Sequence, residues 1–251
     1  MDKHTIRGAN DPRVVDLVRA GKVRVGLFPP QYTKDPVTGE LRGGPFIEIA
    51  RGLAACLGVE VVLVEYPGPP KMVDGLKAGE CDVGFVGRER AADVGFSPPF
   101  LQIDFTYLVP AGSSIRNVAD ADQTGVRIAV VRDHLSTSAL SPILKQAELV
   151  SAESPDAAFD LLRRGHADVL ASVRPVLLKY SSQLAGSRVL EDRYGANLAA
   201  MVVAKGQAER LAYIGEFIEE AKASGLVQRA ITSAGWRGAQ VAPAANPNAQ
   251  K

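Results

Sequence analysis

One frame, Leu-x-x-Gly-x-x-Asp-Val, occurs twice in this chain. It stands as Leu76-Lys77-Ala78-Gly79-Glu80-Cys81-Asp82-Val83 and again as Leu162-Arg163-Arg164-Gly165-His166-Ala167-Asp168-Val169. Its surroundings repeat as well. Val61-Val62-Leu63-Val64 precedes the first copy and Leu149-Val150 the second, and further back stand Val23-Arg24-Val25 and Val126-Arg127-Ile128. Strand, helix, strand, helix, strand, run twice over, builds two similar α/β lobes. Two lobes predict a cleft between them, and clefts between domains are where small ligands bind. In each copy the Gly supplies the left-handed residue that ends a helix. The Asp is placed to accept bonds from backbone N–H groups as the chain enters a strand. The repeat therefore reports architecture and does not mark a reactive site.

The bulk properties fit. A chain of 251 residues suffices for two lobes of roughly 100 residues each. Its 29 basic and 28 acidic side chains nearly cancel, which excludes a global attraction to nucleic acid or to anionic membranes. Aromatic residues make up only 6%, too few for an extended base-stacking surface. Cys56 and Cys81 show no zinc or redox spacing. They read as small core thiols, with a disulfide between them left open. No apolar run is long enough to span a bilayer. The N-terminal segment has no apolar stretch of signal-peptide type, which leaves open a removed signal or a chain not exported by that route.

Periodicity places the elements. Strands are expected at 23–28, 59–66 and 82–86, with a loop over 29–43. A helix follows that loop, with Phe46, Ile49, Ala50, Leu53 and Leu57 on one face. A short helix carrying Met72, Val73 and Leu76 ends at Gly79. A strand at 105–110 crosses to the second lobe. That lobe has strands at 125–131, near 149 and at 168–173, a helix at 136–144, and a helix capped by Ser154 with Pro155 at its first position. An extended stretch at 194–205 returns, and helices at 208–223 and 226–233 close the chain. The lobes are assigned as 1–104 plus 200–237 and as 105–199, with 238–251 a disordered tail.

Against this frame, Asp82 to Phe100 resembles the signature of the family 3 bacterial solute-binding proteins, the amino-acid-type receptors of ABC importers. The pattern sets an Arg six residues before a Phe-Ser-x-Pro-aromatic turn, matched here by Arg90 and Phe96-Ser97-Pro98-Pro99-Phe100. Tyr107-Leu108-Val109-Pro110 fits the crossover strand, Gly44-Pro45-Phe46-Ile47-Glu48 the opening of the first helix, and Tyr194-Gly195 the return crossover. The resemblance covers about residues 20–235. It implies a two-lobed, type II periplasmic-binding-protein-like α/β fold of the Venus-flytrap kind. Each lobe would be a mainly parallel sheet flanked by helices, the two joined by two crossover strands.

The resemblance also implies site residues. Arg90 would grip a ligand carboxylate with its two-pronged fork; the alternative is a surface ion pair with Glu89 or Asp93. Phe85, Val86 and Gly87 would line the cleft wall, Gly87 allowing close backbone approach. Phe28 and Tyr32 would lie against the ligand or pack in the core. In the second lobe His134, Ser136 and Thr137 sit where relatives carry a Gly-Thr-Thr type sequence at a helix N-terminus, an anion site. Ser136 and Thr137 could serve as N-cap or as ligand donors, and His134 as a donor or as an exposed loop residue. Where amino-acid binders carry an Asp for the α-ammonium, this chain has Val173, which cannot neutralise a cation. Arg174 follows. Pointing into the cleft it would favour a second anionic group on the ligand; otherwise it is a solvent-facing residue that starts a helix before Pro175.

The function implied is that of a solute-binding receptor of an ABC-type importer. It would close its lobes on a small carboxylate-bearing metabolite, amino-acid-like or an organic acid. The expected partners are that anionic ligand and an ABC permease, for a monomer that is periplasmic by the resemblance, with a cytoplasmic place left open, and without cofactor, metal, nucleic acid or membrane span. No catalytic set of residues is visible, so the chain reads as not an enzyme. The competing readings are an enzyme resembling cyclohexadienyl or arogenate dehydratase and a soluble sensory domain.

Overall fold

A computed structural model describes residues 10–87 and 93–244. The chain divides into two compact units. The first takes residues up to 102, 198–236 and those from 240; the second takes 103–197 and 237–239. In chain order the elements are α1 (Val15–Ala20), β1 (Lys22–Leu27), β2 (Thr33–Lys34), β3 (Leu41–Arg42), α2 (Pro45–Leu57), β4 (Glu60–Glu65), α3 (Pro69–Ala78), β5 (Val83–Gly87) and β6 (Val94–Val109). There follow β7 (Arg127–Val131), α4 (Leu135–Leu140), β8 (Glu148–Ala152), α5 (Pro155–Arg163), β9 (Val169–Val173), α6 (Arg174–Ser181), β10 (Arg188–Val189) and β11 (Gly195–Ala204). The chain then forms α7 (Ala208–Ala223), α8 (Leu226–Ser233) and β12 (Ala239–Val241).

Each unit is built on the same plan. In the first the strand order is β4-β1-β5-β11. Strand β1 runs parallel to β4, from Lys22 opposite Glu60 to Leu27 opposite Glu65, and parallel to β5, with Val25 opposite Val83. Strand β11 is antiparallel to β5, with Met201 opposite Phe85. In the second the order is β8-β7-β9-β6. Strand β7 is parallel to β8 and to β9, and β6 is antiparallel to β9, with Phe105 opposite Val173.

Alternation along the strands supplies two cores per sheet. In the second unit Ile128, Val130, Val169 and Ala171 pack in one cluster with Tyr107 and Val109. Their neighbours Ala129 and Leu170 pack in another, with Leu108, Phe159 and Leu177. In the first unit the helical spacing of Phe46, Ile49, Ala50, Leu53 and Leu57 buries one face of α2. Phe46 meets Phe85, Phe100 and Trp236 edge-on, at centroid distances of 5.4, 5.6 and 5.8 Å. Full burial of each such side chain is worth about 1.5–3 kcal/mol.

The repeated frame turns out to be a clasp made twice. Helix α3 ends where Gly79 adopts φ 70°, and α5 ends at Gly165 with φ 71°. A side chain is strained at such angles, so Gly is required. The next residues back-bond into the helix, Glu80 N–H to the Gly75 carbonyl and His166 N–H to that of Leu161, both at 2.9 Å. The chain then enters the sheet at the Asp. Asp82 Oδ2 accepts from Arg24 N at 2.8 Å and from its Nε at 3.1 Å, and Oδ1 accepts from Nη2 at 2.7 Å. Arg24 Nη1 also donates to the Gly79 carbonyl at 2.7 Å. Asp168 holds Arg127 alike, through N at 2.8 Å, Nε at 3.1 Å and Nη2 at 2.9 Å, and Nη2 reaches the Gly165 carbonyl at 2.9 Å. Each Asp thus locks the end of a helix to the first residues of two parallel strands.

Several expectations are corrected. Residues 29–43 are not all loop: β2 and β3 pair as a small hairpin there. The crossover strand starts at Val94, far before 105, and passes through Pro98 and Pro99 as strand where a turn was expected. Prolines donate no backbone bond, but Ser97 Oγ accepts the Met201 N–H at 3.1 Å. Helices α1 and α6 and strand β10 lie outside the periodic segments that were read. The segment from 238 is not all tail: β12 forms, the Ala242 N–H bonds the Phe100 carbonyl at 3.0 Å, and Lys222 Nζ holds the Pro243 carbonyl at 2.9 Å. Residues 245–251 lie outside the described residues. Cys56 and Cys81 are free thiols.

The clasps differ in exposure. The Asp82 side chain is 12% exposed and that of Asp168 40%. Asp82→Ala is therefore expected to cost about 2–3 kcal/mol and Asp168→Ala about 1 kcal/mol, water taking over part of the second loss. Urea unfolding of both variants checks the order. The Arg127 guanidinium holds the Asp168 carboxyl below its usual range, against the opposing effect of burial. Its contribution is complete above the unfolded value of about 4 and fades as pH falls through the lowered folded value.

Candidate functional site

In the first unit the sequence-expected residues lie at the carboxyl ends of β1 and β5. Strand β1 ends at Leu27 and the chain turns through a cis Pro29-Pro30 bond. Gln31, 5% exposed, fastens this turn. Its Oε1 accepts the Phe28 N–H at 3.3 Å and its Nε2 donates to the Phe85 carbonyl at 2.9 Å. A Cβ on Gly44 would come within 2.6 Å of the Gln31 carbonyl, so Gly44 lets α2 start hard against the same turn. Gln31 escaped the sequence reading because a lone Gln after two prolines carries no pattern.

Phe28 packs with Tyr66, Met72, Val73, Leu76, Cys81 and Val86. Phe85 is wholly buried in the aromatic cluster with Phe46 and Phe100. Phe28 thus takes the core alternative, and the side chains of Phe85 and Val86 are buried in the core where a cleft wall was expected. Tyr32 is also buried, and its hydroxyl donates to Glu65 Oε1, whose carboxylate pairs with Lys34 Nζ at 2.8 Å. Burial, and then Glu65, push the Tyr32 phenol up to about 12. Gly87 ends β5, half-buried, opposite Ala199. Arg90, in the connection from β5 to β6, lies outside the described residues.

In the second unit the expected residues lie after β7 and β9. Asp133 takes a left-handed φ of 55°, and His134 then caps α4, its Nδ1 accepting the Ser136 N–H at 3.3 Å. Ser136 is buried, with Oγ 2.8 Å from the same Nδ1. Thr137 Oγ1 donates back to the Val131 carbonyl at 2.7 Å. The N-cap is therefore His134, not Ser136 or Thr137. The exposed Arg132 pairs with Glu153 at 2.9 Å. Tyr194, known from the sequence only as part of the return crossover, stacks on Tyr107 with centroids 5.1 Å apart.

Arg174 does start a helix, but it is buried. Its Nη1 donates to the Leu190 carbonyl at 2.9 Å and its Nη2 to those of Glu191 at 2.8 Å and Asp192 at 3.3 Å. Its Nε lies 3.6 Å from the buried Asp104 carboxylate, which also meets Arg193 at 3.2 Å. The fork is filled by its own unit, so both expectations for Arg174, a second-anion receptor or a solvent-facing helix start, are corrected. Among the described residues no cluster of His, Cys, Asp or Glu could hold a metal ion, and no helix is long and apolar enough to cross a membrane. Arg174→Met should lower the stability of the ligand-free protein by about 3–5 kcal/mol, because Asp104 and three carbonyls lose a buried partner. Thermal melting without ligand checks this; an unchanged melt contradicts the structural role.

The family model for bacterial extracellular solute-binding proteins, family 3, matches residues 24–236. No curated protein sequence matches. Among solved structures, the chain is similar to an ancestral cationic amino acid solute-binding protein, at 24% identity over 88% of this chain and 98% of that one, with a TM-score of 0.69. It is similar to a binding component of an ABC transporter from Wolinella succinogenes DSM 1740 complexed with lysine, at 21% identity over 85% and 95%, with a TM-score of 0.66. It is also similar to an ancestral cyclohexadienyl dehydratase, at 24% identity over 88% and 95%, with a TM-score of 0.61. Likeness at such identities shows the α/β fold of type II periplasmic binding proteins. With the family match spanning both units, this chain belongs to family 3 of the bacterial extracellular solute-binding proteins.

Proposed function

We propose that this protein is the solute-binding receptor of an ABC-type importer and takes a small metabolite through its carboxylate. The observation that carries the reading is the match of one solute-binding family from residue 24 to residue 236, over a chain built as two α/β units of the same plan. In open α/β sheets ligands bind beyond the carboxyl ends of the strands. Those are the ends where Gly87, Arg90, His134 and Thr137 occur in the chain. Arg90 stands six residues before Phe96 and is the proposed carboxylate grip. Its fork donates two parallel charge-assisted bonds.

Val173 bears on the ligand class. It ends β9, half-buried, opposite Phe105, and offers no charge to an ammonium group. With the Arg174 fork filled, the case for a second anionic group on the ligand lapses. What remains is a carboxylate whose other end need not be charged. The relatives named for cationic amino acids and lysine favour an amino-acid-like molecule; Val173 favours one without an α-ammonium. The likeness to an ancestral dehydratase keeps one second reading, an enzyme on the same fold. It would need a positioned acid or base.

A panel of carboxylates, scored both for melting shift and for product, separates the two. The receptor is expected to gain stability with no product formed. Arg90→Ala should cost about 2–5 kcal/mol of binding energy while leaving the ligand-free melting temperature nearly unchanged. An equal ligand response in the variant would remove Arg90 from the site. Val173→Asp should weaken binding of a simple carboxylate and admit an α-amino acid. Calorimetry that finds tight binding of a standard amino acid to the unaltered protein refutes the role given to Val173.

A further inference from the structure

In the first unit one buried amide joins the two strands that lead to the proposed site. The strand order β4-β1-β5-β11 makes β1 and β5 the place where the chain parts. Strand β1 leads on to β4 on one side, and β5 leads on to β6 on the other. At such a place a crevice opens beyond the carboxyl ends of the strands, and ligands of open α/β sheets bind there. Direct pairing of β1 with β5 runs as far as Gly26 opposite Gly84. Just beyond, the side chain of Gln31 makes the link. Its Oε1 accepts the Phe28 N–H at 3.3 Å and its Nε2 donates to the Phe85 carbonyl at 2.9 Å.

Gln31 is itself held from three directions. Its backbone N–H donates to the Phe28 carbonyl at 2.9 Å. Gly44, the cap of α2, lies so close to the Gln31 carbonyl that a Cβ there would come within 2.6 Å. The next residue, Tyr32, is tied to Glu65 at the end of β4. An apolar side chain of the same size would fill the space and spare the cost of burying an amide. What the amide adds is direction. A carbonyl shares one rigid plane with the N–H that follows it. A donor on the Phe85 carbonyl therefore sets the plane that carries the Val86 N–H and leads to Gly87, the last residue of β5.

We propose that Gln31 is a positioning residue: its amide fixes the Phe85 peptide plane, and through it the Gly87 backbone that the bound carboxylate meets. The second half rests on the receptor reading above; the first does not. Gln31 acts through the backbone and not by touching the ligand. The titratable groups of its surroundings are already engaged. Tyr32 and Lys34, in the same segment, both bind Glu65. Glu48 of α2 pairs with Arg51 at 2.8 Å, and β5 carries no titratable side chain.

Two substitutions separate filling from direction. Gln31→Met fills the space without a hydrogen bond. Gln31→Glu, when protonated, offers the same acceptor and donor as Gln; ionised, it sets a carboxylate against the Phe85 carbonyl. Burial raises such a carboxyl above its usual value of about 4.3, so the competent form gains as pH falls from 8 to 5. Glu65 stays ionised over that range, because Lys34 and then Tyr32 hold its carboxyl below the usual value. Without ligand, the carbon-13 signal of the Phe85 carbonyl and the amide signals of Val86 and Gly87 should move in Gln31→Met. They should return in Gln31→Glu at pH 5. Signals left in place in Gln31→Met overturn the first half. For the second, L-lysine, L-glutamine, succinate and butyrate serve as probes. With whichever raises the melt most, Gln31→Met should bind about tenfold more weakly, the worth of one hydrogen bond. Gln31→Glu should recover most of that loss at pH 5, each variant being measured against the unaltered protein at the same pH. Equal affinity in Gln31→Met, or no recovery in Gln31→Glu, overturns the link to the ligand. If Gln31→Met does not fold, Gln31→Glu compared at pH 5 and pH 8 carries both measurements, and no difference between them overturns the proposal. If none of the four probes raises the melt, the receptor reading fails and takes the second half with it, while the ligand-free signals still decide the first.

Discussion

The carboxylate that opens the third strand of each unit holds the design together. A parallel sheet needs a long crossover between neighbouring strands, so its register must be set by something other than a tight turn. Asp82 and Asp168 set it. Each ties the start of one strand to the start of its neighbour and to the helix end between them. The clasp also explains how the units tolerate different lengths. The Arg and Asp lie 58 residues apart in the first and 41 in the second. The extra chain falls mostly between β1 and α2, where the β2–β3 hairpin is inserted. Both ends of that insertion are held, by Gln31 and by the Gly44 contact.

Strength and chemistry are thereby kept at opposite ends of the strands. The clasps occupy the amino ends. The residues proposed for a ligand follow the carboxyl ends in the chain. Within the second unit, that end is braced by side chains that pair and stack inside the unit. Arg174 gathers the 190–192 carbonyls, and Tyr107 and Tyr194 stack in the core cluster that also takes Leu140 of α4. A receptor needs such support, because a donor that wanders loses affinity to entropy before it meets its ligand.

The two α/β units were largely legible in the linear chain. The alternation of apolar runs, the Gly stops at 58, 79 and 165, and the Ser154-Pro155 helix start all correspond to observed boundaries, because those signals act over four or five residues. The reading failed where distant atoms decide. Pro98-Pro99 looked like a turn, yet the segment is strand, since Ser97 answers a backbone N–H a hundred residues away. Phe85 looked like part of a cleft wall, yet its ring fills the core. Arg174 looked like a second anion receptor, yet four oxygens of its own unit surround it.

What the sequence by itself determined is the pair of α/β halves, the helix stops and the family to which their order of motifs belongs, because periodicity and positive-φ turns are local properties of the chain. Only the tertiary structure decided which polar side chains are already satisfied. A hydrogen bond depends on where a partner arrives in space, and nothing in the spacing of Arg174 and the 190–192 carbonyls along the chain reveals that they meet.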